Sequence, residues 1–192
     1  MNIGIYSGSF NPVHKGHTQL AQYVCAHCSL DEVWLMVSPN NPLKDKSQLW
    51  DENFRLRLAQ AATADIPCLR ASDFEFSLPR PSYTVDTLKA LSKAYPRHKF
   101  SLIIGSDNMA IFDRWRNYEY ILEHYQVIVY PREGDNIGQL SLRYPQMQIA
   151  KGAPLFSVSS TMIRERLRSG ENVEEWVDKR VIELIKKENL QD

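Results

Sequence analysis

Residues 3–17 read Ile-Gly-Ile-Tyr-Ser-Gly-Ser-Phe-Asn-Pro-Val-His-Lys-Gly-His. A run of β-formers breaks at Gly8-Ser9, passes Pro12 and enters a helical pattern. That order spells a strand, a tight turn and a helix start, the opening of a βα unit. A helix start has unpaired backbone N–H groups and a partial positive charge, so it favours an anion. His14 and His17 stand three apart and share a face on a helical first turn. Gly8 and Gly16 leave bare backbone against which a flat ligand can lie. These features point to a phosphate site. The competing reading makes the histidines simple helix caps, and the Gly and Pro around them favour the site.

The rest of the chain repeats the alternation. Strand-like runs occupy 2–7, 32–38, 67–71, 99–105 and 125–130, with a short sixth at 147–150. Helical patterns occupy about 15–28, 53–64, 85–95, 160–168 and 173–188. In the second of these, Phe54, Leu56, Leu58, Ala61 and Ala62 supply the apolar side. Residues 135–145 are polar and turn-rich and read as a variable loop. Strands alternating with helices predict an α/β fold, a doubly wound parallel sheet of five to six strands with a helical C-terminus. Ligands of such sheets bind beyond the carboxyl ends of the strands.

A chain of 192 residues is expected to form a single domain over 1–192. Lys plus Arg and Asp plus Glu both number 23, which argues against a broad nucleic-acid or membrane surface. No secretory n-region and h-region opens the chain, and no apolar run approaches a membrane span, so a cytoplasmic location is expected. Cys25-Ala-His27-Cys28 has C-x-x-C spacing, but Leu20, Ala21 and Val24 place it on an apolar helix face. Core packing is therefore favoured there over metal or redox chemistry.

Gly8-Ser-Phe-Asn-Pro-Val-His14-Lys-Gly-His17 resembles the (H/T)xGH signature of the nucleotidyltransferase superfamily. Within it, the chain resembles the bacterial nicotinate-nucleotide adenylyltransferases, whose fold is Rossmann-like. Further matches follow in family order. Ser38-Pro-Asn40-Asn-Pro-Leu-Lys44 resembles a proline-bounded loop ending in a basic residue, and Lys46 also qualifies. Ser82-Tyr83-Thr84 with Thr87-Leu88 resembles the family's SYT-x-x-T-L segment. Locally, Thr84 is expected to cap a helix. Gly105-Ser-Asp107 followed by Trp115 resembles G-x-D and a later tryptophan. Arg132-Glu-Gly134 resembles R-x-G, and Val158-Ser159-Ser160-Thr161-Met-Ile-Arg164 resembles ISST-x-I-R. Ser7 stands for a frequent Gly and Asn11 for a frequent Asp. Both are read as turn residues that leave the chemistry unchanged.

The resemblance implies transfer of AMP from ATP to nicotinate mononucleotide, with release of pyrophosphate. His17 is then the transition-state stabiliser, with His14, Lys44 and Arg164 around the triphosphate. ATP would meet Gly8, Ser9, Phe10, His14, Gly16, His17, Gly105, Asp107, Ser159, Ser160, Thr161 and Arg164. The mononucleotide would meet Asn40, Ser82, Tyr83, Thr84, Trp115 and Arg132. Mg²⁺ would ride mainly on substrate phosphates, with Asp107 reaching it through water. A homo-oligomer is left open. Three rivals are weighed. One is a nicotinamide-mononucleotide preference. Another is a superfamily transferase acting on phosphopantetheine or glycerol phosphate. The last is a nucleotide-sensing module without turnover.

Overall fold

The computed structural model describes residues 1–39 and 49–188. Its strands are β1 (Asn2–Gly8), β2 (Glu32–Val37), β3 (Leu69–Ser72), β4 (Lys99–Gly105), β5 (Gln126–Tyr130) and β6 (Gln148–Ile149). They form one sheet in the order β3-β2-β1-β4-β5-β6. Every neighbouring pair is parallel. The helices are α1 (Lys15–His27), α2 (Glu52–Thr63), α3 (Thr84–Ala94), α4 (Ser106–Ala110), α5 (Tyr118–His124), α6 (Ile137–Arg143), α7 (Ser160–Arg168) and α8 (Lys179–Lys187). The expected parallel α/β sheet and helical C-terminus are both present.

Strand alternation divides the core in two. Val33, Leu35 and Val37 of β2 join Val24, Leu58, Ile163, Val181 and Ile185, so α1, α2, α7 and α8 cover one face. Trp34 and Met36 join Ile3 and Ile5 of β1 with Leu88, Met109, Ile121 and Leu140 on the other face. Side chains two apart on a strand share a face, so one buried strand feeds both cores. Cys25 and Cys28 lie in the first core, as the apolar spacing predicts.

Several local expectations are corrected. The last helix does not span 173–188. Asp178 accepts from the Arg180 N–H at 2.9 Å and starts α8 after itself, leaving Val173 and Val177 buried in a preceding turn. Residues 135–145 are not all loop. Asn136 caps α6 through the Gln139 N–H, and Leu140 anchors that helix in the core. Thr84 does not cap α3: Tyr83 holds the cap position in extended backbone, and Thr84 is the first helical residue. Ser7 lies within β1, not in the turn. On α2 the buried set is Phe54, Arg55, Leu58, Ala59, Ala62 and Thr63, while Leu56 and Ala61 of the expected side are only partly buried.

Among the described residues, no helix is long and apolar enough to cross a membrane. Ile185 of α8 is fully enclosed at 2 % exposure. Ile185→Ala is expected to cost about 2–5 kcal/mol in denaturant unfolding. A loss below about 1 kcal/mol would show that α8 is not part of the core.

Candidate active site

β1 and β4 are neighbours, and the chain proceeds outward from them in both directions. That junction is where ligands of open parallel sheets bind, beyond the carboxyl ends of the strands. The turn from β1 into α1 and the junction of β4 with α4 both lie there.

His14 occupies the cap position of α1, with φ −142° and ψ 169°. Its ring stacks on that of His17, with centroids 3.6 Å apart and planes at 28°. The shared face predicted from the spacing is therefore real. The His14 N–H donates to His17 Nδ1 at 3.2 Å. A ring nitrogen that accepts carries no proton, so neutral His17 holds its proton on Nε2. His14 is 7 % exposed. Burial, then the nearby Arg132 charge, lowers its pKa to about 4. Phe10 adopts the left-handed region at φ 46°, which is costly for a side chain with a Cβ. Its buried ring meets the His17 ring edge-on at 5.0 Å and Tyr6 at 5.7 Å. Phe10 thus braces His17 through its ring.

The second helix start comes to the same turn. Ser159 caps α7 by accepting from the Met162 N–H at 3.1 Å. Ser160 Oγ donates to the Pro12 carbonyl at 2.9 Å. Arg164 Nη1 donates to the Asn11 carbonyl at 2.8 Å, and Arg164 Nη2 lies 3.4 Å from Thr161 Oγ1. A Cβ on Gly16 would sit 3.0 Å from His14 Nδ1 and 3.1 Å from Val158 Cγ1. Gly16 therefore lets the two helix starts close on each other. Two positive helix ends at one point make a strong anion site.

A ring contact and then a polar chain lead from His17 across the strand ends. Tyr6 lies 6.2 Å from the His17 ring, and its hydroxyl is 3.5 Å from that of Tyr130. Burial, then the neighbouring Tyr130, raises the Tyr6 pKa, so its phenol stays neutral. Arg132 Nη2 donates to the Tyr130 hydroxyl at 3.2 Å, and its Nε stands 3.5 Å from Asp107 Oδ1. A Cβ on Gly105 would collide with the Asp107 carboxylate and approach Arg132 Nε to 3.1 Å. The bare strand end thus makes room for this ion pair. Ser106 Oγ accepts from the Arg132 N–H at 2.7 Å and donates to Asp135.

A cytidylyltransferase-like family model matches residues 5–166. A probable nicotinate-nucleotide adenylyltransferase of Bacteroides thetaiotaomicron is 48% identical over 186 residues, covering 97% of this chain and 91% of that protein. One of Flavobacterium johnsoniae is 43% identical over 191 residues, covering 99% and 98%. The chain belongs to the nicotinate-nucleotide adenylyltransferase family. Its fold matches that of Plasmodium falciparum nicotinic acid mononucleotide adenylyltransferase complexed with NaAD. That match has TM-score 0.81 at 19% identity and covers 100% of this chain and 97% of that one.

Of the residues that the family resemblance marks for the nucleotide, Ser9, Phe10, His14, Gly16, His17, Ser159, Ser160, Thr161 and Arg164 are gathered around one turn. Gly8 ends the strand that feeds it. Gly105, Asp107 and Arg132 form one adjoining cluster. Arg132, expected with the mononucleotide, acts electrostatically on His14 as well. Ser82, Tyr83 and Thr84 lead into α3. Trp115 packs on Phe112 at 5.1 Å. Among the described residues, Ser82 Oγ and Trp115 Nε1 are buried polar atoms without a hydrogen-bond partner. Asn40 and Lys44 lie outside the described residues, as does Lys46.

Among the described residues, no group of three or more His, Cys, Asp or Glu is placed to hold a metal ion. A cation carried on phosphates needs no such cage, and the half-exposed Asp107 fits a contact through water.

Two buried residues escaped the sequence reading. Glu75 lies beside α3 and accepts from Thr87 Oγ1 at 3.0 Å and Ser7 Oγ at 3.4 Å. Ser7 is thus a ligand of Glu75, which accounts for its hydroxyl. Burial raises the Glu75 pKa against these hydroxyl bonds. The signal was an acid between Phe74 and Phe76. Arg55 was legible as the residue beside Phe54 that shares the Leu58–Ala62 side of α2.

The His14 shift carries a pH dependence. The unfolded chain takes up this proton near pH 6.5 and the folded chain only near about 4. The related stability is complete above pH 6.5 and falls as pH drops through that window, by up to about 3 kcal/mol. His14→Gln is expected to flatten this part of the unfolding profile. An unaltered profile would refute the assignment.

Proposed function

We propose that this chain transfers AMP from ATP to nicotinate mononucleotide, yielding nicotinate adenine dinucleotide and pyrophosphate. The carrying observation is the meeting of α1 and α7 at one turn, with the stacked histidines at the first and Arg164 on the second. The relatives' names and the NaAD bound to the Plasmodium neighbour support the choice of substrates.

The attacking group is a phosphate monoester, whose second pKa of about 6 leaves it largely dianionic at neutral pH. No general base is needed. The enzyme's work is to bring two anions into line and to stabilise charge on the departing pyrophosphate. His17 donates from Nε2 to the α,β-phosphate region, where negative charge grows. His14, Lys44, Arg164 and the 159–161 hydroxyls hold the triphosphate.

On the acceptor side, the start of α3 receives the nicotinate carboxylate, as an anion at a helix N-terminus. Asn40, Ser82, Tyr83, Thr84, Trp115 and Arg132 form the mononucleotide half. Mg²⁺ bound to the phosphates would neutralise part of their charge, with Asp107 meeting it through water. We place the reaction in the cytoplasm, where ATP is supplied.

His17→Ala is expected to lower kcat by about 10²–10³ while leaving the melting temperature nearly unchanged. Near-normal turnover would remove the role given to His17. The indole face of Trp115 would stack on the pyridine ring; Trp115→Ala is expected to raise KM for the pyridine nucleotide, and a change confined to KM for ATP would refute that stacking role. Pyrophosphate release with ATP and nicotinate mononucleotide, compared with nicotinamide mononucleotide at equal concentration, tests the substrate. Faster release with the amide would overturn the assignment.

A further inference from the structure

One buried charge has no part in the mechanism above. Arg55 lies on the inner face of α2 and is 0% exposed. A guanidinium taken out of water needs compensation, most often a carboxylate. Here backbone carbonyls supply it. Nε donates to Trp50 at 2.9 Å. Nη1 donates to Ser9 at 2.6 Å and Ser38 at 2.8 Å, and Nη2 to Pro39 at 3.2 Å. Burial lowers its pKa, opposed by the charges of Glu52 and Asp51. Arginine starts so high that it stays protonated.

The four carbonyls come from three chain segments. Ser9 is in the turn between β1 and α1, Ser38 and Pro39 follow β2, and Trp50 precedes α2. Asn11 closes the loop of contacts, because its Oδ1 accepts from the Trp50 N–H at 3.1 Å. Trp50 is therefore held at its N–H by the turn and at its carbonyl by Arg55. On the opposite flank of the same turn, Arg164 grips the Asn11 carbonyl. In a trans peptide the N–H points away from the C=O. With the Ser9 carbonyl drawn onto Arg55, the Phe10 N–H is aimed away from that guanidinium. Phe10 also carries the left-handed backbone, and its ring braces His17.

We infer that Arg55 is a positioning residue for ATP: it clamps the phosphate turn to the ends of β2 and α2, and so sets the turn amides and His17 toward the triphosphate. The inference rests on the proposed adenylyl transfer. The planar fork spreads its donors over four carbonyls, whereas a lysine ammonium has three donors on a single nitrogen.

The test uses the full chain and Arg55→Lys, which keeps the charge and loses the fork. Affinity for a non-hydrolysable ATP analogue is measured by calorimetry, beside steady-state kinetics. Arg55→Lys is expected to lower affinity for the analogue and kcat/KM for ATP by about tenfold or more, with KM for the mononucleotide within about twofold. A purely structural arginine would lower the melting temperature and the active fraction but leave both KM values and the analogue affinity unchanged. That result would overturn the inference. If Arg55→Lys does not fold, Asn11→Ala unties Trp50 from the turn and must weaken the analogue several-fold. Unchanged affinity there would equally overturn it. Wild-type protein that binds the analogue but releases no pyrophosphate would refute the adenylyl-transfer reading alone.

Discussion

The site depends on the carbonyls of one short turn. Ser9, Asn11 and Pro12 turn their oxygens to Arg55, Arg164 and Ser160. These donors come from α2 and α7, which are far apart in the chain and lie on the same face of the sheet. A short loop cannot satisfy such carbonyls itself, and left unpaired in the interior each would cost about 1–3 kcal/mol. The same bonds that remove that cost fix where α1 begins and bring α7 to it. Stability and anion recognition thus share one set of contacts.

The electrostatics follow from this arrangement. Two buried guanidiniums, each bonded to turn carbonyls, and two helix starts concentrate positive potential at the turn. His14 stays neutral at physiological pH because burial and Arg132 both oppose its protonation. Positive charge is supplied by arginines, which cannot lose it, while the histidines supply directed hydrogen bonds. Asp107 holds Arg132 at the rim, where its bond to Tyr130 leads on to Tyr6, whose ring packs against that of His17.

Much of this was readable in advance where the signal is local. The stacked face of His14 and His17 follows from a spacing of three on a helical turn, and the Ser159 cap from hydroxyls before Ile163. The buried strands announced themselves as continuous apolar runs. Local reading failed where tertiary contacts overrode it. The 173–188 stretch carries apolar residues at helical spacing, yet the Asp178 cap starts the helix late. The 135–145 stretch looks polar, yet one buried leucine and an asparagine cap make α6. Glu75 and Arg55 carry charges that composition assigns to the surface, and only their partners explain their burial.

By itself the sequence determined the alternation of strands and helices, and with it a parallel sheet whose strand ends carry the chemistry. It also determined which helix starts attract anions, because caps, glycines and side-chain spacing act within a few residues. The tertiary structure alone decided that two of those starts, nearly 150 residues apart in the chain, close on a single turn (Ser160 bonds Pro12 directly). It alone decided that the inward-facing Arg55 meets the Ser9 carbonyl of that turn. The physical reason is that a buried carbonyl accepts from whatever donor the packing delivers, and sequence spacing does not specify that donor.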